Sequence, residues 1–162
     1  MSTATPVTER AAGRPLVHLS RRYRFSASHR LHVPTLGDDG NRALFGKCNN
    51  PFGHGHNYFV QVTLAGPVAA DTGMVVDLAA LDAFAASALL EPFDLTNLNE
   101  LPGFRNSVPS TENLCVILWQ IFAPFAADHR PACLVRLRVE ETRNNAFDYF
   151  GDGKPVPALI GT

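Results

Sequence analysis

The stretch Gly53-His54-Gly55-His56-Asn57-Tyr58-Phe59-Val60-Gln61-Val62-Thr63-Leu64 decides the architecture. Tyr58, Val60, Val62 and Leu64 fall on one face together with His56, and polar residues are interleaved among them. Period-two alternation of this kind marks a strand that packs on one side only. The pattern also runs upstream, where Tyr23, Phe25 and Ala27 alternate with Arg22, Arg24 and Ser26 in a strand expected over Leu16 to Ala27. Downstream it returns over Cys133 to Glu141, and Asn144-Asn145 reads as the hairpin turn into a last strand, Phe147 to Phe150.

Two helices are expected between these strand pairs. Asp77 is placed to N-cap a helix through about Leu90, with Leu78, Leu81, Ala85, Ala88 and Leu89 on one side and Pro92 as its stop. Ser110 caps the second helix, which starts after Pro109 and carries Glu112 in its first turn, where the helix dipole favours an acid. Its apolar stripe is Leu114, Ile117, Leu118, Ile121, Phe122 and Phe125. The order ββααββ implies an α+β domain, a four-stranded antiparallel sheet with two helices on one face. Val33 to Phe52 interrupts the pattern with Pro34, Gly37-Asp38-Asp39-Gly40-Asn41, Gly46 and Pro51. It reads as a long loop of the kind that carries function.

A chain of 162 residues, 46% hydrophobic and 18% charged, is long enough for one domain with its own core. Residues 1–14 read as a disordered tail without the apolar segment of a secretory signal, and 15–162 as the single domain. A net charge of −1 argues against a nucleic-acid binder with a broad basic surface. The most apolar long window, Leu78 to Phe93, contains Asp82, Ser87, Glu91 and Pro92, so no membrane span is expected. Three cysteines, Cys48, Cys115 and Cys133, cannot close a set of disulfides, which points to a reducing, cytoplasmic setting.

His54 and His56 stand two apart at a strand entrance, so both imidazoles can face one ion, and His29 sits at the matching end of the preceding strand. Three neutral nitrogens without a fourth protein ligand describe a catalytic zinc site with an open position, the alternative being surface histidines by a turn. Cys48 lies in the glycine-rich loop beside Lys47, where an ammonium and a nearby metal would lower its pKa, as a base or a further ligand. Cys115 and Cys133 fit buried, inert positions. Glu141 shares the parity of Cys133, Val135, Leu137 and Val139, which puts a carboxylate at the end of an apolar face. Either a ligand with two N–H donors pairs with it, or the strand stops at Glu140 and Glu141 is solvated. Asp94, after Pro92-Phe93, suits a turn or cap more than a catalytic acid.

Phe25-Ser26-Ala27-Ser28-His29-Arg30-Leu31, Gly46-Lys47-Cys48-Asn49-Asn50-Pro51 and Gly53-His54-Gly55-His56-Asn57-Tyr58 closely resemble the 6-pyruvoyl-tetrahydropterin synthase family. The likeness continues through Thr72-Gly73-Met74-Val75, Asn97-Leu98, Ser110-Thr111-Glu112-Asn113 and Glu141-Thr142-Arg143-Asn144-Asn145. It implies the tunnelling fold, a homo-oligomer in which two trimers stack into a hexamer, and active sites between subunits. It also implies a pterin substrate, 7,8-dihydroneopterin triphosphate, from which triphosphate is eliminated. By the same resemblance His29, His54 and His56 hold zinc, Cys48 is the thiolate base, Glu141 anchors the pterin ring, and Ser110 and Thr111 add pterin contacts.

By the same resemblance Asp94 matches the acid of an Asp-His pair that relays protons in the family, but Leu95 stands here in place of the histidine. That departure keeps two alternatives beside a pyruvoyl-forming lyase. One is a 6-carboxytetrahydropterin synthase of the queuosine pathway, and the other is a pterin-binding paralogue without turnover. Arg30, Lys47 and Arg143 are cations placed near these motifs that could meet the phosphates.

Overall fold

The alternation fixes the register of a long central hairpin. Strands β1 (Leu16–His29) and β2 (His54–Pro67) pair antiparallel along their whole lengths, with Tyr23 opposite Val60, Ala27 opposite His56 and His29 opposite His54. β2 pairs antiparallel with β4 (Cys133–Glu140), which pairs antiparallel with β5 (Ala146–Tyr149). This computed structural model describes residues 14–152. The tail expected over 1–14 therefore lies, Arg14 apart, outside the described residues.

The sheet departs from the four-stranded expectation. It has five strands in the order β3-β1-β2-β4-β5, and β3 (Thr96–Asn97) runs parallel to β1. Two residues are too few to show alternation. The pairing is extended by Leu95 N–H, which donates to Ser26 O at 2.6 Å, and by Asp94 Oδ1, which accepts from Ser26 N–H at 2.7 Å.

The apolar face of the hairpin is covered by helices. α2 (Leu78–Ala85) is capped by Asp77, whose carboxylate accepts from Ala79 and Ala80 N–H. The helix does not stop at Leu90: a π turn (Ala86–Leu90) leads into a last turn, α3 (Glu91–Phe93), that contains Pro92. The widened turn makes room for a ring that would clash with a preceding carbonyl in a regular helix. α4 (Thr111–Asp128) starts from Ser110, whose hydroxyl accepts from Asn113 N–H. Leu114, Leu118 and Phe122 of α4 are fully buried, as are Leu81, Ala85 and Leu89 from the first helix and Tyr58, Val60 and Val62 from β2. Tyr23 and Phe84 flank Phe122, and Phe25 stacks on Tyr58. The opposite sheet face is ionic, with Arg22 paired to Glu140 and Arg138 to Asp148.

Two further expectations change. A bulge between Thr63 and Leu64 pairs Leu64 with Leu134, which reverses the parity at the start of β4. Leu134 is therefore buried, and Cys133, expected inside, is exposed. The long loop is also ordered: α1 (Gly37–Phe45) forms within it, and a 3-10 turn (Gly46–Asn49) follows. Buried Asn41 ties α1 down, accepting from Val33 N–H and donating to the carbonyls of Val33 and Gly37.

Gly53 makes the entry into β2 possible. Its φ is +69°, and a Cβ there would lie 3.0 Å from the carbonyl oxygen of His29. Gly53→Ala is expected to destabilise the fold by about 1–2 kcal/mol, the cost of a left-handed alanine, and to displace His54. Urea unfolding checks the first effect and metal titration the second; unchanged values in both would remove this role.

Candidate functional site

β1 and β2 end together, so the hairpin delivers His29, His54 and His56 to one place. Opposed His29 and His54 share a face with His56, two residues further along β2. One ring nitrogen from each lies within 4.8 Å of those of the other two, and Nε2 of His29 is 3.1 Å from Nε2 of His54. His29 is 1% exposed, and its Nδ1–H donates to the carbonyl of buried Pro109 at 2.7 Å. A carbonyl can only accept, so the proton is fixed on Nδ1 and the lone pair on Nε2 faces the other two rings.

The three rings fit a metal ion. Burial, ahead of every other influence, holds all three imidazoles below their usual pKa and therefore neutral. Neutral imidazole is the ligating form. Nε2 of His56 is buried with no hydrogen-bond partner, an arrangement that costs free energy and that a cation would relieve. These histidines could hold a metal with a position left open.

Glu141 sits beside the triad. β4 ends at Glu140, as the solvated alternative required, but the Glu141 carboxylate is not released to water. Its Oε1 accepts from buried Thr111 Oγ1–H at 2.7 Å and lies 3.7 Å from His56 Nε2 and 3.8 Å from His29 Nε2. Asn145 donates to Oε2 at 3.4 Å, and Glu141 N–H donates to Asn145 O. Thr111 is thus spatially part of the site through Glu141. Ser110 is next to it in the chain, but its hydroxyl serves as the cap of α4.

Cys48 is half-buried on the Gly46–Asn49 turn, whose Cys48 carbonyl accepts from Leu31 N–H just after the end of β1. Burial first, and then the charge of Glu141, push its thiol above the usual range. This is opposite to the lowering expected at the sequence level, so the described side chains alone do not activate it. Asp94 and Leu95 are not brought to Cys48 by any described contact; they line the outer edge of β1. Leu95 is 86% exposed at φ +57°. Sequence reasoning missed the Pro109 carbonyl and Asn145. A backbone carbonyl has no residue-type signature, and Asn145 reads as a turn former.

An α+β domain that ends its main hairpin in three converging imidazoles beside a held carboxylate has the form of a metal-holding enzyme domain. Residues 18–152 match the profile of 6-pyruvoyl tetrahydropterin synthase. The chain is 43% identical over 149 residues to human 6-pyruvoyl tetrahydrobiopterin synthase, covering 90% of this chain and 99% of that one. The Drosophila melanogaster protein of the same name is 39% identical over 138 residues, 85% of this chain and 81% of that one. The solved Caenorhabditis elegans 6-pyruvoyl tetrahydropterin synthase superposes with a TM-score of 0.80 at 37% identity, covering 86% of this chain and 99% of that chain. This chain belongs to the 6-pyruvoyl tetrahydropterin synthase family.

Among the described residues no helix is long and apolar enough to cross a membrane.

Proposed function

We propose that this protein is a zinc-dependent lyase that converts 7,8-dihydroneopterin triphosphate to 6-pyruvoyl-tetrahydropterin with loss of triphosphate. The convergence of His29, His54, His56 and Glu141, with the buried Nε2 of His56 left without a hydrogen-bond partner, carries the reading. Zinc bound by the three imidazoles would polarise the side-chain hydroxyls of the substrate and make the neighbouring protons easier to remove. Glu141 orients the pterin by accepting from the 2-amino group and N3–H, and Thr111 fixes the carboxylate for that task. Cys48 takes a proton from the side chain, and a cation among the imidazoles would counter the burial and the Glu141 carboxylate that otherwise raise its pKa. Asp94 supplies the acid of the proton path, reached between subunits of a homo-oligomer, in the family's form a hexamer of two stacked trimers. The setting is cytoplasmic.

Incubation of zinc-loaded protein with 7,8-dihydroneopterin triphosphate, followed by mass analysis, tests the reaction. A pyruvoyl product and released triphosphate are expected. A carboxytetrahydropterin with acetaldehyde would move the chain to the queuosine branch, and unchanged substrate would overturn the lyase.

Glu141→Gln separates anchor from ligand. Bound zinc should stay unchanged, while pterin affinity falls about a hundredfold because an anion facing two donors is replaced by an amide that is half donor. Loss of zinc instead would make Glu141 a metal ligand.

A further inference from the structure

Besides a cavity of about 370 Å³ lined by His56, Ser28 and Leu95 on the β3 side of β1, two cavities border the triad. One, of about 360 Å³, is bordered by His56, Glu141 and Arg143. The other, of about 750 Å³, is bordered by His54 and by three cations, Arg30, Arg42 and Lys47, against one carboxylate, Asp38. The cations come from different elements. Arg30 follows β1, Arg42 is on α1, and Lys47 is on the turn that carries Cys48.

Four strand arginines are paired, Arg21 with Asp82, Arg22 with Glu140, and Arg136 and Arg138 with Asp148, whereas Arg24, Arg105, Arg130 and Arg143 stand apart from one another without an ion pair among the described residues. Among the described residues Arg30, Arg42 and Lys47 form no ion pair within 4.0 Å. Arg30 is half-buried and held in place, with Nε–H donating to the Asn49 carbonyl at 3.2 Å and its backbone bonded on both sides by Asn99. A concave surface with an excess of two positive charges, and no internal counter-ion for them, suits a polyanion.

We infer that Arg30, Arg42 and Lys47 form the cradle for the triphosphate of the substrate. The inference rests on the functional reading above and fixes the direction of the bound molecule. With the ring held at Glu141 on the His56 side and the side-chain hydroxyls at the imidazoles, the phosphates extend past His54. Arg143, a candidate by charge and position in the sequence, borders the ring cavity and is outside the cradle. Arg42 had no sequence signal, because only the folding of α1 turns it toward the Cys48 turn.

Arg42→Gln and Lys47→Gln test the cradle, since both residues are exposed and neither substitution disturbs a described contact. Calorimetry on the zinc-loaded protein would compare inorganic triphosphate, added as its magnesium salt, with phosphate-free 7,8-dihydroneopterin. Each variant should weaken triphosphate binding about tenfold, from the loss of a charge-assisted contact, and raise KM for the triphosphate substrate in parallel. Affinity for 7,8-dihydroneopterin should stay within about twofold, as it should for both ligands in Arg130→Gln, at the opposite end of β4. Equal triphosphate affinity in wild type and both variants would overturn the cradle. So would an equal loss for the phosphate-free pterin, which would mean a general effect on the site. Variant-sensitive triphosphate binding in a wild-type protein that leaves the substrate unconverted would uphold the cradle and overturn the lyase.

Discussion

Replacing His54 by alanine is expected to lower bound zinc from one per chain to near zero and to reduce turnover roughly a thousandfold. Lewis-acid polarisation contributes several kcal/mol to a transition state, and each 1.36 kcal/mol is tenfold in rate. The fold should survive this change, because His54 is half-buried at the hairpin mouth, its Nδ1 has no hydrogen-bond partner and its Nε2 meets only His29 of the same triad. His29→Ala should cost the same activity and also about 1–3 kcal/mol of stability, since it empties a buried position and leaves the Pro109 carbonyl without its donor. Zinc content by elemental analysis, kcat on the triphosphate substrate and urea midpoints separate the two variants. Retention of zinc by His54→Ala would remove the triad as the metal site.

The contrast between these variants follows from how much of the site could be read in the sequence. Parity alone puts His54 and His56 on one strand face, and the length of the upstream alternation carries His29 to the facing end. The register that pairs His29 with His54 was therefore legible. So were the caps, because Asp77 and Ser110 are side-chain signals that precede apolar periodicity. What was not legible depends on backbone partners or on tertiary insertion. Pro109 orients His29 through a carbonyl that any residue would have. The bulge at Thr63/Leu64 inverts Cys133 and Leu134 without changing the composition of either strand. α1 is hidden in a run of Gly, Asp and Asn that has low helical propensity, and buried Asn41 holds it there. Glu141 fell between the alternatives: β4 ends before it, yet Thr111 draws it back to the imidazoles.

Leu95→His is expected to raise kcat at least tenfold while leaving zinc content unchanged. Family resemblance puts a proton-relaying histidine at this position, and a positioned acid–base group contributes about 10²–10⁴ in rate. The backbone is ready for it. Leu95 occupies a left-handed conformation at φ +57°, held by its N–H on Ser26 O and by Asp94 on Ser26 N–H. Histidine and asparagine tolerate that conformation better than leucine, and a side chain 86% exposed gives up little packing when it is replaced. Leu95→Asn is the control. It should gain about 0.5–1 kcal/mol from the relieved backbone but no rate, because an amide does not relay protons at neutral pH. A gain in rate with histidine and in stability alone with asparagine would assign the effect to proton transfer. An unchanged rate for Leu95→His would show that the path from Cys48 does not pass through position 95. The same rate gain in both variants would show that the strained backbone, not the missing imidazole, limits turnover.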